Sequence, residues 1–258
     1  GVLLGLELFE EGVDVMLCDS TNVLRAGYTP SEKIVVDSMN RIFEKTDKRI
    51  IIATFSSNIY RIKYFMEASI DHGRKIAVSG RSMEYVIGLA KELGYLDVPE
   101  TAFVDIRKIG NVPDGNLTIV TTGSQGEPMS ALTRMAMGDH KKVNITPQDF
   151  IIISATPIPG NEKYVTRVVN ELMKSGAHVV YERMYEVHVS GHACQEELKL
   201  MLSLTKPKYF IPVHGEYKHL KKHAELAMEL GMDRDHIIVG QIGDVIESNG
   251  IDMKIVGQ

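Results

Sequence analysis

Short runs of apolar, mostly β-branched residues alternate with longer stretches in which apolar positions recur every three or four residues. The runs Val13–Cys18, Ile50–Phe55, Lys75–Ser79, Leu117–Thr121, Phe150–Ala155, His178–Glu182 and Tyr209–Val213 read as strands. Between them, Glu32–Thr46, Ile59–His72, Met83–Leu93, Met129–Gly138, Glu162–Ser175, Gln195–Leu204 and Tyr217–Leu230 read as helices. Ile59, Ile62, Phe65 and Met66 show the one-sided spacing that buries a helix face. Strand and helix in alternation predict an α/β fold, a parallel sheet with helices on both faces. Only the end departs from this: Ile237–Val239, Asp244–Glu247 and Met253–Val256 predict short strands, with turns at Gly243 and Asn249-Gly250.

The turns that follow the strands are rich in small polar residues. Ser56-Ser57-Asn58, Gly80-Arg81-Ser82, Thr122-Gly123-Ser124-Gln125-Gly126 and Thr156-Pro157 each come directly after one. In a parallel sheet such turns gather at the carboxyl edge, where α/β proteins bind ligands. Most of them open a helix, so they offer free amides and the positive end of a dipole to an anion. Each turn taken singly is equally a helix cap, the usual work of Ser and Asn.

Composition narrows the class. The chain has 258 residues, 44% hydrophobic and 24% charged, ordinary proportions for a soluble domain. Its longest apolar runs, such as Phe150-Ile-Ile-Ile-Ser154, are far too short to span a bilayer, so no membrane partner is expected. Two cysteines, Cys18 and Cys194, make no disulfide framework, and a reducing cytoplasm is the expected compartment. A net charge of −5 argues against a broadly basic nucleic-acid surface. Any polyanion must be held locally, by backbone amides and a few cations. The chain opens on Gly1-Val-Leu-Leu and stops at Ile255-Val-Gly-Gln258 in mid-pattern, which reads as part of a longer polypeptide.

The strongest chemical signal is His188-Val-Ser-Gly-His192, followed after one helix and one strand by Val213-His214-Gly215-Glu216. Imidazole binds metals and moves protons near neutral pH. A Ser-Gly backbone lets a phosphate oxygen approach main-chain N–H groups. Together they suggest hydrolysis of a phosphodiester. His214 and Asp19 both end predicted strands; Asp19 reads equally as the cap of a tight Ser20-Thr21-Asn22 turn. One histidine is not a metal site, because catalytic zinc needs about three protein ligands. His219 and His223 sit four apart on a helix, but the glutamate that zinc hydrolases carry beside the first histidine is absent. Lys218, Lys221 and Lys222 surround them, so they read as a solvated face.

At these residues the chain resembles the ribonuclease J family. The resemblance is carried by His188-Val-Ser-Gly-His-Ala193, Gln195-Glu-Glu-Leu-Lys-Leu200 and Pro207-Lys-Tyr-Phe-Ile-Pro-Val-His-Gly-Glu-Tyr217. Cys18-Asp-Ser-Thr-Asn22, Gly27-Tyr-Thr-Pro-Ser-Glu32, Gly123-Ser-Gln-Gly-Glu-Pro128 and Thr156-Pro-Ile-Pro-Gly160 add to it. It implies a parallel-sheet β-CASP cap, residues 27–185, inserted in a metallo-β-lactamase αββα domain. Residues 1–26 would be a remnant of that domain and residues 186–258 its C-terminal part. By motif, Asp19 and His192 resemble catalytic residues, and His188, Val189, Ser190, Gly191 and His192 a substrate-phosphate segment. His214 resembles a zinc ligand. The turn that takes a terminal phosphate stays open, with Ser56, Ser57, Asn58 and Ser124 the candidates.

The implied activity is a zinc-dependent ribonuclease of RNA maturation and decay, exonucleolytic from 5′ to 3′ and also endonucleolytic. It would use two zinc ions, take single-stranded RNA with a 5′ monophosphate and form a homo-oligomer. The family's His-x-His-x-Asp-His hallmark occurs nowhere in these residues and would lie before Gly1. The chain alone is therefore expected not to retain the two ions and to be inactive or nearly so. The alternative is a non-catalytic RNA-binding or assembly module. A small-molecule α/β enzyme fits less well, since no Gly-x-Gly-x-x-Gly turn follows the first strand and Gly123-Ser-Gln-Gly is not a Walker loop.

Overall fold

The computed structural model describes residues 12–158, 160–181, 187–250 and 252–258. In chain order the elements are β1 (Val15–Asp19), α1 (Lys33–Lys45), β2 (Arg49–Thr54), α2 (Ile59–Asp71), β3 (Lys75–Ser79), α3 (Arg81–Glu92), β4 (Leu117–Thr121), α4 (Ala131–Ala136), β5 (Asp149–Ser154), α5 (Glu162–Lys174), β6 (His178–Tyr181), α6 (Gln195–Thr205), β7 (Tyr209–Val213), α7 (Tyr217–Glu229), β8 (Val245–Ser248) and β9 (Met253–Gly257). Contacts divide the chain into two compact units, Gly1–Pro30 with Ser190–Gln258, and Ser31–Val189.

The larger unit is built on five parallel strands in the order β3-β4-β2-β5-β6. The central strand β2 is apolar at successive positions because both of its faces are covered. Ile51, Ala53, Ile119, Ile151 and Ile153 pack against Leu132 and Met135 of α4 and Val165, Val168 and Leu172 of α5. Ile50, Ile52 and Ile152 turn the other way, onto Val35, Met39 and Phe43 of α1 and Phe65 of α2. Ile76 and Val120 continue that second face under Ile62, Met66, Met83 and Ile87. Each such isoleucine, withdrawn fully from water, contributes about 1.5–3 kcal/mol. The expected parallel sheet with helices on both faces is present.

Two arginines, the half-buried Arg49 and the buried Arg74, close the amino edge of this sheet. Arg49 makes a forked pair with the buried Asp149, Nε to Oδ1 at 2.6 Å and Nη2 to Oδ2 at 2.8 Å. Arg74 donates to the carbonyls of Thr46, Lys48 and Leu117. The opposite, carboxyl edge is left for the polar turns.

In the smaller unit β1 and β7 pair in parallel, with Asp19 in register with Val213. One face packs Met16 and Phe210 onto Leu202 of α6 and Ala224 and Ala227 of α7. Tyr209 and Ile211 on the other face meet Ile238 and Met253, while Leu17 remains 63% exposed. The antiparallel hairpin β8–β9 turns through Gly250 at φ 84°.

Two expectations shift. The strand expected at Ile237–Val239 is a single bridge from Ile237 to Phe210, because the Arg234 guanidinium takes the Ile237 carbonyl (2.7 Å) that would continue the ladder. The helix expected over Met129–Gly138 is shorter: Ser130 caps it by accepting from the Thr133 N–H, and Gly138 at φ 75° ends it. Strand β6 is described as far as Tyr181, and the expected final residue Glu182 lies outside the described residues. No helix among the described residues is long and apolar enough to cross a membrane.

The units divide a few residues beyond 26/27 and 185/186. Thr29 and Gly27 bond to Glu197 and Glu196, tying that stretch to the smaller unit. Val187 and Val189 are buried in the core of the larger one.

Candidate functional site

Parallel pairing brings the ends of β1 and β7 to one edge, which places Asp19 beside His214 although 195 residues separate them. His214 has φ 57°, one of two non-glycine residues with positive φ among those described. That left-handed turn is sparsely populated for residues with a Cβ and is a form of local strain. It swings the imidazole off the strand end and back over the edge.

Three ligand-type side chains meet there. His214 Nδ1 lies 2.6 Å from Asp19 Oδ2 and His192 Nδ1 lies 3.1 Å from the same oxygen. The two imidazole rings stack with centroids 5.5 Å apart. One donor atom from each of Asp19, His192 and His214 falls within 4.8 Å of the others. The second carboxylate oxygen, Oδ1, accepts from the Thr21 N–H at 2.9 Å. The Thr21 hydroxyl stands 3.2 Å from Asp19 Oδ2 and 3.1 Å from the His214 carbonyl; with one proton it donates to one of them at a time. Desolvation pushes the Asp19 carboxyl up. The Thr21 amide, the His192 charge and the His214 and Thr21 hydrogen bonds outweigh it and hold the carboxyl below its ordinary value. The acid is thus kept as a carboxylate.

The segment carrying His192 is anchored from beneath. The amide of the buried Asn22 spends both protons, donating to Ser190 Oγ (2.9 Å) and the His192 carbonyl (2.8 Å). Ser190 Oγ also accepts from the His192 N–H, and Thr29 donates its hydroxyl within this network. Glu197 accepts from the Thr29 and Cys194 amides, the latter closing a capping box on α6. In the sequence Asn22 stands only in a tight turn and in the Cys18-Asp-Ser-Thr-Asn22 stretch that helps carry the resemblance. Its role depends on the fold and left no signal in spacing.

His223 corrects the reading of a solvated face. It is fully buried, 4.8 Å edge-on to Phe210, with Nδ1 3.0 Å from Ser20 Oγ. Desolvation lowers its pKa to about 4, partly opposed by the Asp19 charge. The signal was available: Leu226 and Ala227, three and four residues on, are buried, and Leu220, three residues back, is half-buried on the same side. His219 instead accepts from the Glu216 N–H at the helix start.

The larger unit carries the remaining candidates. His188 and Val189 are held by Arg61, whose Nη1 lies 2.6 Å from His188 Nδ1 and whose Nη2 donates to the Val189 carbonyl at 2.7 Å. On the carboxyl edge, Asn58 caps α2 by accepting from the Arg61 N–H. Ser56 is half-buried, Ser57 exposed, and Ser124 only 3% exposed. Gln125, next to Ser124, bridges two turns by donating to the Thr156 carbonyl and accepting from the Ile158 N–H.

The donor set suits zinc. Two imidazole nitrogens and one carboxylate oxygen, close enough together to share an ion, are N/O ligands of the usual kind. The Thr21 bonds orient the carboxylate as outer partners of metal ligands do.

Comparison with known proteins finds two domain patterns and a set of relatives. The pattern of the ribonuclease J beta-CASP domain matches residues 47–172. That of the Zn-dependent metallo-hydrolase RNA specificity domain matches residues 176–239. Ribonuclease J of Helicobacter pylori (strain ATCC 700392 / 26695) is 46% identical over 248 residues, covering 96% of this chain and 36% of the relative. Ribonuclease J of Synechocystis sp. is 43% identical over 252 residues, 98% of this chain and 39% of the relative. Ribonuclease J2 of Bacillus subtilis (strain 168) is 45% identical over 244 residues, 95% and 44%. The chain spans less than half the length of these relatives. With two adjoining domain patterns and this level of identity along nearly all of its residues, the chain belongs to the ribonuclease J family.

Proposed function

We propose that this chain supplies part of the machinery of a metal-dependent ribonuclease, one that trims single-stranded RNA from a 5′-monophosphate end and also cuts internally. The observation that carries the reading is the convergence of His192 and His214 on one oxygen of Asp19. Zinc, when bound, supplies a Lewis acid and lowers the pKa of attacking water. Asp19 and His214 are the residues to hold it. His192, anchored to Asp19 through Nδ1, holds a proton at Nε2 for the departing oxygen. The backbone at Ser190-Gly191 and the His188 ring grip a phosphate without reading base identity. Ser56, Ser57 and Asn58 belong to the same reading as contacts for the terminal phosphate, Ser124 only through its backbone because its side chain is buried. In this reading residues 27–185 serve as the RNA-facing cap and residues 1–26 and 186–258 as the hydrolase part. Self-association into a homo-oligomer and work in a reducing cytoplasm go with it.

Because the His-x-His-x-Asp-His motif is absent from these 258 residues, the chain holds only a share of two zinc sites. The expected result with 5′-labelled single-stranded RNA is binding without cleavage, with or without added zinc. Cleavage by the purified chain that survives a chelator would contradict it. In a full-length family member with these residues, His192→Ala should slow turnover by about 100-fold or more, the contribution of a positioned proton donor. Undiminished turnover would refute the role. The competing reading, a non-catalytic RNA-binding module, is favoured by the same missing motif and requires turnover indifferent to Asp19, His192 and His214.

A further inference from the structure

The carboxyl ends of β3 and β4 border a cavity of about 740 Å³ in the larger unit. Gly80, Arg81, Ser82, Thr122, Ser130 and Arg134 line it, and none of them has a part in the reading above. Glycine lets the turns close on each other. A Cβ at Gly80 would stand 2.5 Å from Thr122 Oγ1, and one at Gly123 2.4 Å from Ser130 Oγ. Both glycines take positive φ, 113° and 108°. Gly80 precedes α3 with no side chain to cap it, so the first-turn amides lack their usual acceptor.

Neither guanidinium of the lining has a hydrogen-bond or ion-pair partner among the described residues. Arg81 is exposed; Arg134 is half-buried, with its Nε withdrawn from water and lacking an acceptor. His140, close to Arg134, is a neutral neighbour. Its Nδ1 accepts from the Val143 N–H at 3.0 Å, which leaves its Nε2 to donate to Ser79 Oγ at 3.1 Å. Burial and then the Arg134 charge hold its pKa below the ordinary value. Glu127 also lines the cavity, and its Oε2 accepts from the Gln125 N–H. Two guanidinia against one carboxylate leave the lining positive in a chain of net charge −5.

We propose that this cavity is a phosphate subsite that takes a backbone phosphodiester of an RNA strand, away from the strand's 5′ end. That the polyanion is RNA rests on the ribonuclease reading; the site itself rests on the lining. An arginine fork offers paired N–H donors that match phosphate oxygens. A buried donor without an acceptor is a standing cost that native structures seldom keep. A phosphate that drew the Arg134 fork toward Arg81 supplies that acceptor. The Ser82 and Ser130 hydroxyls and the open amides of α3 are there for its other oxygens. Met129, 84% exposed in the same lining, gives the attached base an apolar surface. A chain of net negative charge holds a polyanion at such local points, not over a broad basic face.

The test is fluorescence anisotropy of a 3′-labelled, 5′-hydroxyl oligoribonucleotide with the purified 258-residue chain over a salt series. Such a strand has no terminal phosphate, so its binding reports on contacts to the backbone. Arg81→Gln and Arg134→Gln, checked for fold by circular dichroism, should each weaken binding about tenfold, the loss of one charge-assisted hydrogen bond. The double variant should lower the slope of log K against log salt by about 0.7, the value for one single-strand phosphate. Arg81 is exposed, so its variant tests the site even if Arg134→Gln fails to fold. Arg167→Gln removes the same charge from the exposed side of α5 and should change little. Equal loss in Arg167→Gln, or no loss in the double variant, overturns the subsite and leaves the ribonuclease reading standing. Binding only of 5′-phosphorylated RNA overturns it too, since the strand is then held by its end alone. Binding of neither RNA takes the ribonuclease reading down with it. AMP should displace the strand no better than inorganic phosphate does; stronger displacement makes the ligand a free nucleotide and overturns the strand assignment.

Discussion

Asp19 Oδ2 lies 2.6 Å from His214 Nδ1 because β1 and β7 are neighbours in parallel register, not because the residues are near in sequence. The carboxylate is the hub of the candidate site. It accepts from two imidazoles on one oxygen and from the Thr21 amide on the other. Asp19→Asn keeps the shape but gives up the charge and replaces an acceptor by a donor or a weaker acceptor. The expected consequence is loosening of His192 and His214, read as increased mobility of both rings by 15N relaxation. Unchanged ring dynamics would show that the carboxylate does not hold them.

Asn22 is a second support. Replacing it with Ala removes the donors to Ser190 Oγ and the His192 carbonyl from a buried position. The smaller unit should lose about 1–3 kcal/mol, the cost of leaving buried acceptors without partners. Amide exchange at His192 should accelerate. If denaturant unfolding and exchange both match the wild type, the anchor is not real.

How much of this could be read in the sequence varies with the residue. The β2 and β4 runs were legible because strands buried on both faces lack the polar alternation of a half-exposed strand and are mostly apolar or β-branched, and the helices because α2 and α5 show clear one-sided spacing. Strand order was not legible, since nothing in Ile50–Thr54 says that its neighbours are β4 and β5. The convergence of Asp19 with His214 was out of reach for the same reason: strand-end placement and the family resemblance pointed to the two positions, but their meeting depends on register across 195 residues. Nothing in the sequence singled out Arg61 and Arg74, since a buried arginine is betrayed only by its partners. His223 was misread because its lysine neighbours outweighed the apolar spacing of Leu220, Leu226 and Ala227.

His223 makes stability depend on pH. The unfolded chain takes up this proton near 6.5, whereas the folded chain waits until about 4. Between those values the unfolded state binds more protons, so stability falls as pH falls through the window and is unaffected above it. The total is on the order of 3 kcal/mol. His223→Gln should flatten the slope of unfolding free energy between pH 6.5 and 4.5 relative to wild type. Parallel slopes for the two proteins would count against a buried neutral imidazole.

Arg74 is the structural counterpart. Its guanidinium serves three backbone carbonyls and lies 5.4 Å over the Phe43 ring. Arg74→Met fills similar space yet orphans those carbonyls, and should cost the larger unit about 3 kcal/mol or more. Arg107→Ala, which breaks an exposed pair with Asp105, should leave the melting temperature where it was. Equal effects from the two would mean that burial at Arg74 is not what matters.

The most direct test of the central claim is titration of the purified 258-residue chain with Co2+ as a zinc surrogate, followed by visible absorption. The account predicts a weak, saturable site with no more than one ion per chain, lost in Asp19→Asn and in His214→Ala and largely kept in His192→Ala. Absence of any site, or a site that survives both Asp19→Asn and His214→Ala, would contradict it.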